Sequence, residues 1–211
     1  GQEAYDKHFD SFMRHYLTIK TGNIPKIRKV YEAFKEHARS PKIAAEGVDA
    51  LVADIHMFVS YYCAMALGKE KIKQLAIAFQ DLRDLRVDVS YPLLLELYHD
   101  YHHMILSKED FEKILRLVES YVFRRVVCSI PTNSLNKTFA TFGRSLKKER
   151  YLESVLAHFL SLPSYRRFPD DEEFTREIKS EICTIYAHEA TFCEGWKILA
   201  GKNGLWWMNT L

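Results

Sequence analysis

No two cysteines in this chain stand at CxxC spacing. The four, Cys63, Cys128, Cys183 and Cys193, are scattered, which points away from a zinc knuckle and fits buried thiols in a reducing compartment better than bridges. No apolar run reaches the roughly 18 residues that a membrane span needs. The N-terminal stretch is amphipathic and charged, unlike a signal peptide. A cytoplasmic protein with no membrane partner is therefore expected. There is also no Walker loop, no GxGxxG and no HNH signature, so neither a nucleotide cradle nor a nuclease centre is expected, and the chain is read as no enzyme and as holding no cofactor. Strand alternation, internal repeats and low-complexity tracts are missing as well.

What is present is helical periodicity. Tyr5, Phe9, Phe12, Met13, Tyr16 and Leu17 recur at helical spacing and predict a first helix ending near Thr21-Gly22-Asn23. Pro25 suits the first turn of a second helix with Ile27, Val30, Tyr31 and Phe34 inward, closed by Ser40-Pro41. Residues 44–67 read as one long helix, apolar almost all round and therefore central. Gly68 ends it, and 69–86 returns as its antiparallel partner. Ser90 and Pro92 open a fifth helix reaching Leu106. Ser107 caps a sixth over 108–128, and 134–146, 151–161 and 170–179 follow. The expectation is an all-α, compact multi-helix domain of eight to nine helices, mostly antiparallel neighbours, over 1–179, with a weak boundary near 87–90.

The most informative stretch, 121–143, reads YVFRRVVCSIPTNSLNKTFATFG. Pro131 cannot sit inside a helix, and Thr132 and Asn133 offer N-cap oxygens for Leu135 onward. Arg124 and Arg125, adjacent on a helix, point about 100° apart, so one is expected in solvent and the other inward, answered by Glu119 or by helix-end carbonyls. Cys128 reads as a small apolar residue before a turn, and Asn133, Ser134 and Asn136 as partners of backbone groups around the break. The run RRxxCxIPTNSLNK, with Phe139, Ala140 and the later Phe168-Pro169-Asp170-Asp171-Glu172-Glu173-Phe174, resembles the middle region of the GmrSD-type restriction endonucleases. That family has a ParB-like nucleotide-using domain first and an HNH-type nuclease domain last. The resemblance covers roughly 5–174 and implies a non-catalytic helical connecting or scaffold domain of a DNA-targeting restriction protein, with those two domains as partners.

Between 113 and 150 nine Lys or Arg stand against Glu119 and Glu149, a local charge of +7 in a chain of net +2. Such an excess attracts phosphate and equally fits a solvated face. If DNA is a partner, the candidate contacts are Arg124, Arg125, Lys137, Arg144, Lys147, Lys148 and Arg150, while Cys128, Pro131, Thr132, Asn133 and Asn136 form the structural motif. An oligomerisation or protein-interaction domain, with a homo-oligomer as product, is the alternative. His99 and His103 share a helix face at metal-holding spacing. Two imidazoles without further ligands or the Glu of HExxH argue for ordinary histidines, so no metal is expected. His56, within the most apolar helix, is expected to be a hydrogen-bonded core residue.

The tail is out of character. All three tryptophans, Trp196, Trp206 and Trp207, lie in the last sixteen residues without a helical stripe. Read two bases out of register, the codons for 192–211 spell LRRLENFGRKEWVVVDEY, similar to the continuation of GmrSD-type chains. Trp196-Lys197 forces a Glu in that frame, and Trp207-Met208 an Asp. A frameshift near 178–181 is the expectation, which removes Cys183, His188 and Cys193 from any site. Sequencing the encoding DNA tests it: codons after Ser180 that yield no such peptide in another frame would refute it.

Overall fold

Three consecutive leucines, Leu93, Leu94 and Leu95, point about 100° apart on a helix, so a helix that carries them must be covered on every side. The structure is a computed structural model that describes the backbone of residues 2–187 and the side chains of residues 8–180. Among the described residues there are ten α-helices, linked by short 3₁₀ turns, and no strand. They are α1 (Gln2–Thr21), α2 (Val30–Ala38), α3 (Pro41–Glu46), α4 (Val48–Ala66), α5 (Lys73–Asp84), α6 (Tyr91–His102), α7 (Lys108–Val127), α8 (Leu135–Phe142), α9 (Tyr151–Ser161) and α10 (Asp171–Ala187). The all-α architecture is as the periodicity predicts. The expected frameshifted tail lies outside the described residues.

The hub is α6. It packs against α1, α4, α7 and α8, and Leu93, Leu94, Leu95 and Leu97 are all 0 % exposed. Each such burial stabilises by about 1.5–3 kcal/mol. The apolar α4, expected at the centre, lies instead at the edge. Its Leu51, Phe58, Tyr61, Tyr62 and Met65 face the core, while Val48 and Val52 are 75 % and 58 % exposed. His56 is exposed too, not a core residue. By length and composition alone α4, with 19 residues and a mean hydropathy of 1.2, could cross a membrane, which the sequence reading had not found. The α4/α5 pairing expected from the pattern is present.

The element boundaries differ from the periodic reading for identifiable reasons. Residues 44–67 are not one helix, because Gly47 adopts φ 89°, ψ 164° and separates α3 from α4. In α2 only Val30 is buried, and Ile27 and Tyr31 of the supposed inward stripe are exposed. Ser90 caps nothing: its hydroxyl donates to the Val87 carbonyl at 2.7 Å inside a 3₁₀ turn. At the weak boundary expected near 87–90, Val87 and Ser90 are buried, at 3 % and 0 % exposure, while Asp88 is exposed. The Ser107 cap is where the sequence puts it, accepting from the Asp110 amide at 3.1 Å. Three helices end through non-glycine residues with positive φ, Arg86, Met104 and Ser129. At Ser129 the Ile130 amide reaches back to the Arg125 carbonyl at 2.9 Å, so α7 is closed before Pro131 is reached.

Gly47 allows strain to be separated from packing. Its φ of 89° is hostile to side chains, yet a Cβ there would meet nothing within 4 Å. Gly47→Ala is therefore expected to lower stability in urea by about 1–3 kcal/mol through backbone strain alone. Unchanged or raised stability would mean that α3 and α4 fuse into the single helix that the periodicity suggests.

Candidate functional site

Both arginines of the central run are buried, at 4 % and 0 % exposure. The expectation of one in solvent is corrected, and both leave the set of possible DNA contacts. A guanidinium in the interior must have its N–H groups answered. Arg125 answers its terminal ones with oxygens from two connecting segments: it donates to the Pro131 carbonyl at 2.6 Å, the Ser134 hydroxyl at 3.2 Å and the Tyr165 carbonyl at 3.3 Å, while its Nε has no hydrogen-bond partner among the described residues. It also lies 5.3 Å from the Tyr121 ring centroid. Burial pushes its pKa down, but an arginine has far to fall before losing its charge.

Arg124 turns the other way. It pairs with Asp171 at 2.6 Å, donates to the Pro169 carbonyl at 3.2 Å and sits 4.9 Å from the Phe174 ring. Asp170 caps α10 by accepting from the Glu173 amide at 2.8 Å, and Glu173 pairs with Arg167. The two stretches that carry the resemblance thus meet through Arg124, while Arg125 ties the first of them to Tyr165, just ahead of the second. Glu119 serves neither arginine; it pairs with Arg116 at 2.7 Å.

Folding also dissolves much of the local positive charge. Arg116 is held by Asp81 and Glu119, Lys113 by Asp110, Lys148 by Asp100 and Arg150 loosely by Glu153. Of the nine cations in 113–150, only Lys137, Arg144 and Lys147 are exposed and outside any ion pair among the described residues. Thr132, Asn133 and Asn136 are exposed and make no side-chain hydrogen bond among the described residues, and the Ser134 hydroxyl accepts from the Arg125 guanidinium rather than serving a backbone group of the break. The Cys128 thiol is half-buried, and burial with nearby Glu173 and Glu177 pushes its pKa up. That suits a structural thiol rather than a nucleophile. His99 stacks on Phe58 with ring centroids 5.2 Å apart, and no group of three possible metal ligands occurs among the described residues.

The sequence reading missed a polar cluster on the hub helix. Asp100, 3 % exposed, accepts from Tyr151 at 2.7 Å and Lys148 at 2.8 Å. One turn earlier Glu96 faces Gly143, where a Cβ would come within 1.7 Å of its carboxylate. Burial, then Asp100, push the Glu96 carboxyl up to about 7, against the opposing pull of Lys148, Arg144 and Lys20. Two acids at i, i+4 within an otherwise apolar YPLLLELYHDYH were the available signal. Nearby, a crevice of about 10 Å³ between α1 and α8 holds His15 and Asn136, room for at most one water. Comparison with family models, curated proteins and solved structures gives no match for this chain.

Two outcomes follow from these charges. Arg125→Met leaves the Pro131 and Tyr165 carbonyls unanswered and is expected to cost about 2–4 kcal/mol in denaturant unfolding. Arg125→Lys should recover little of it, because an ammonium cannot span both segments. For Glu96, the folded chain keeps a proton between pH 4.5 and about 7 that the unfolded chain has released, so stability falls as pH rises through that window. His15 acts in the opposite sense. Burial and Arg14 lower it to about 4 from 6.5, so its contribution is lost as pH falls through that interval. Glu96→Gln is expected to exceed the parent by about 2–3 kcal/mol above pH 7 and to match it near pH 5. An equal gain at both pH values in thermal melts would rule out the charge as the cause.

Proposed function

We propose that this chain is a helical connecting domain of the kind found between the ParB-like and HNH-type domains of GmrSD-type restriction proteins, and that it acts in the cytoplasm as a rigid spacer without catalysis of its own. The observation that carries the reading is the joining of the two motif stretches by Arg124, with Arg125 beside it holding the first stretch. The residues of the resemblance hold one another, through an ion pair between the buried Arg124 and the exposed Asp171 and through guanidinium-to-carbonyl bonds. A motif spent on internal contacts fits a frame that fixes neighbouring modules better than one that meets a substrate. The genomic DNA on both sides tests it: a ParB-like segment encoded upstream and an HNH segment downstream are expected, and flanks that encode neither would sink the reading.

A second function of the same frame is contact with DNA phosphates, favoured by the unpaired, exposed Lys137, Arg144 and Lys147. Changing Lys137 and Lys147 to Gln is expected to weaken duplex binding several-fold at about 0.1 M salt. The logarithmic salt slope should become shallower by about one unit per cation removed. Binding that ignores salt would reject this contact and favour the oligomerisation alternative, which a concentration-dependent mass would reveal.

A further inference from the structure

Arg144 does not stand alone on its surface. Its guanidinium lies directly on the backbone of Gly22, where a Cβ would come within 1.2 Å of a terminal nitrogen. Gly22 opens the loop between α1 and α2. The same loop and α8 share the small crevice, to which Ile24 contributes from one side and Asn136 and Ala140 from the other. Lys20, at the end of α1, and Arg144 both lie close enough to act on the Glu96 carboxyl. Three separate observations therefore place the start of the α1–α2 loop against the strip that carries Lys137 and Arg144.

The residues that follow in that loop are Lys26, Arg28 and Lys29. All three are exposed, and none has an ion pair among the described residues. No acid occurs between Lys20 and Glu32. The loop is also held in place. Gly22 donates to the Thr18 carbonyl at 2.8 Å, Asn23 donates to the Thr21 hydroxyl at 3.2 Å, and Arg14 donates to the Pro25 carbonyl at 2.9 Å. Cations on a pinned loop lose less freedom on binding than cations on a mobile one.

We propose that Lys26, Arg28 and Lys29 of the α1–α2 loop complete, with Lys137, Arg144 and Lys147, a single surface that binds the phosphates of duplex DNA. This rests on the DNA-contact reading above and extends it to a part of the chain more than a hundred residues away, which the local charge count did not include. Duplex is favoured over single strand because the two strips themselves carry no exposed ring, and the exposed ring beside the loop, Tyr31, has the Lys35 ammonium 5.4 Å from its centroid. Residues 22–29 contain no aromatic, and Phe139 and Phe142, the only aromatics in 137–150, are buried. Single-strand binders need exposed rings for the bases, whereas a duplex presents phosphate first.

The test is fluorescence anisotropy of a labelled duplex of about 20 base pairs, titrated with the full chain at several salt concentrations. Lys26→Gln, Arg28→Gln and Lys29→Gln together are compared with Lys137→Gln and Lys147→Gln together, and with a control, Lys69→Gln, Lys71→Gln and Lys73→Gln, which removes as many exposed cations elsewhere. Thermal melts confirm that each variant folds. The loop triple is expected to lose about tenfold or more in affinity and two to three units of salt slope, while the control stays within about twofold of the parent. If only the Lys137/Lys147 pair weakens binding, the loop proposal fails and the DNA reading survives. If the unaltered chain shows no salt-sensitive binding, both fail. A control as damaging as the loop triple would mean diffuse attraction and overturn the assigned surface. Tighter binding of a single strand or of duplex RNA of equal length would overturn the ligand.

Discussion

Covering α6 on every side is the constraint to which the remaining helices answer. A twelve-residue helix with leucines on all faces cannot rest on a surface, so α1, α4, α7 and α8 close around it. That enclosure then has to accommodate Glu96 and Asp100, acids one turn apart on the same helix. Asp100 is satisfied by Tyr151 and Lys148 from the segment that begins α9, and Glu96 fits only because residue 143 is a glycine. The polar interior of the hub thus dictates what the basic segment 143–151 must supply, and ties the exposed Lys148 to the buried Asp100 carboxylate.

Away from the hub, the connecting segments 130–134 and 163–170 have no ladder of backbone bonds to hold them. Carbonyls left behind at such places need donors. Arg124 provides them within 169–171, and Arg125 for Pro131 and Tyr165 together, each with a planar fork that can meet more than one oxygen at once. A pair of buried leucines would fill the volume but leave those carbonyls unanswered. This is the physical reason for two consecutive arginines inside a protein: the IPTNS stretch supplies oxygens to Arg125 and the FPDDEEF stretch to Arg124, neighbours on one helix.

The charge of a segment and the charge of a surface are different quantities. In sequence, 113–150 is strongly basic. In the fold, acids from α5, α6, α7 and α10 and from within the segment take up most of that charge, while the α1–α2 loop brings cations that no count over neighbouring residues would include. The exposed cations that remain outside ion pairs among the described residues, Lys137, Arg144 and Lys147 in the segment and Lys26, Arg28 and Lys29 in the loop, are fewer and differently placed than the linear excess implies.

By itself the sequence determined that the chain is helical, where most helices lie, the Ser107 cap and the pairing of α4 with α5, because periodicity, capping oxygens and short connections act within a few residues. It also marked 124–137 and 168–174 as belonging together, through resemblance alone. Only the tertiary structure decided that α6 rather than α4 is the hub, since hydrophobicity says that a helix can be buried and not how many neighbours will cover it. The ends of α5 and α7 lie within a residue or two of where the pattern put them, but only the tertiary structure stopped α6 at His102, short of Leu106, and closed it through Met104 in the left-handed conformation. And only there do Arg124 and Arg125 both turn inward, for the oxygens that hold them come from segments up to 45 residues away.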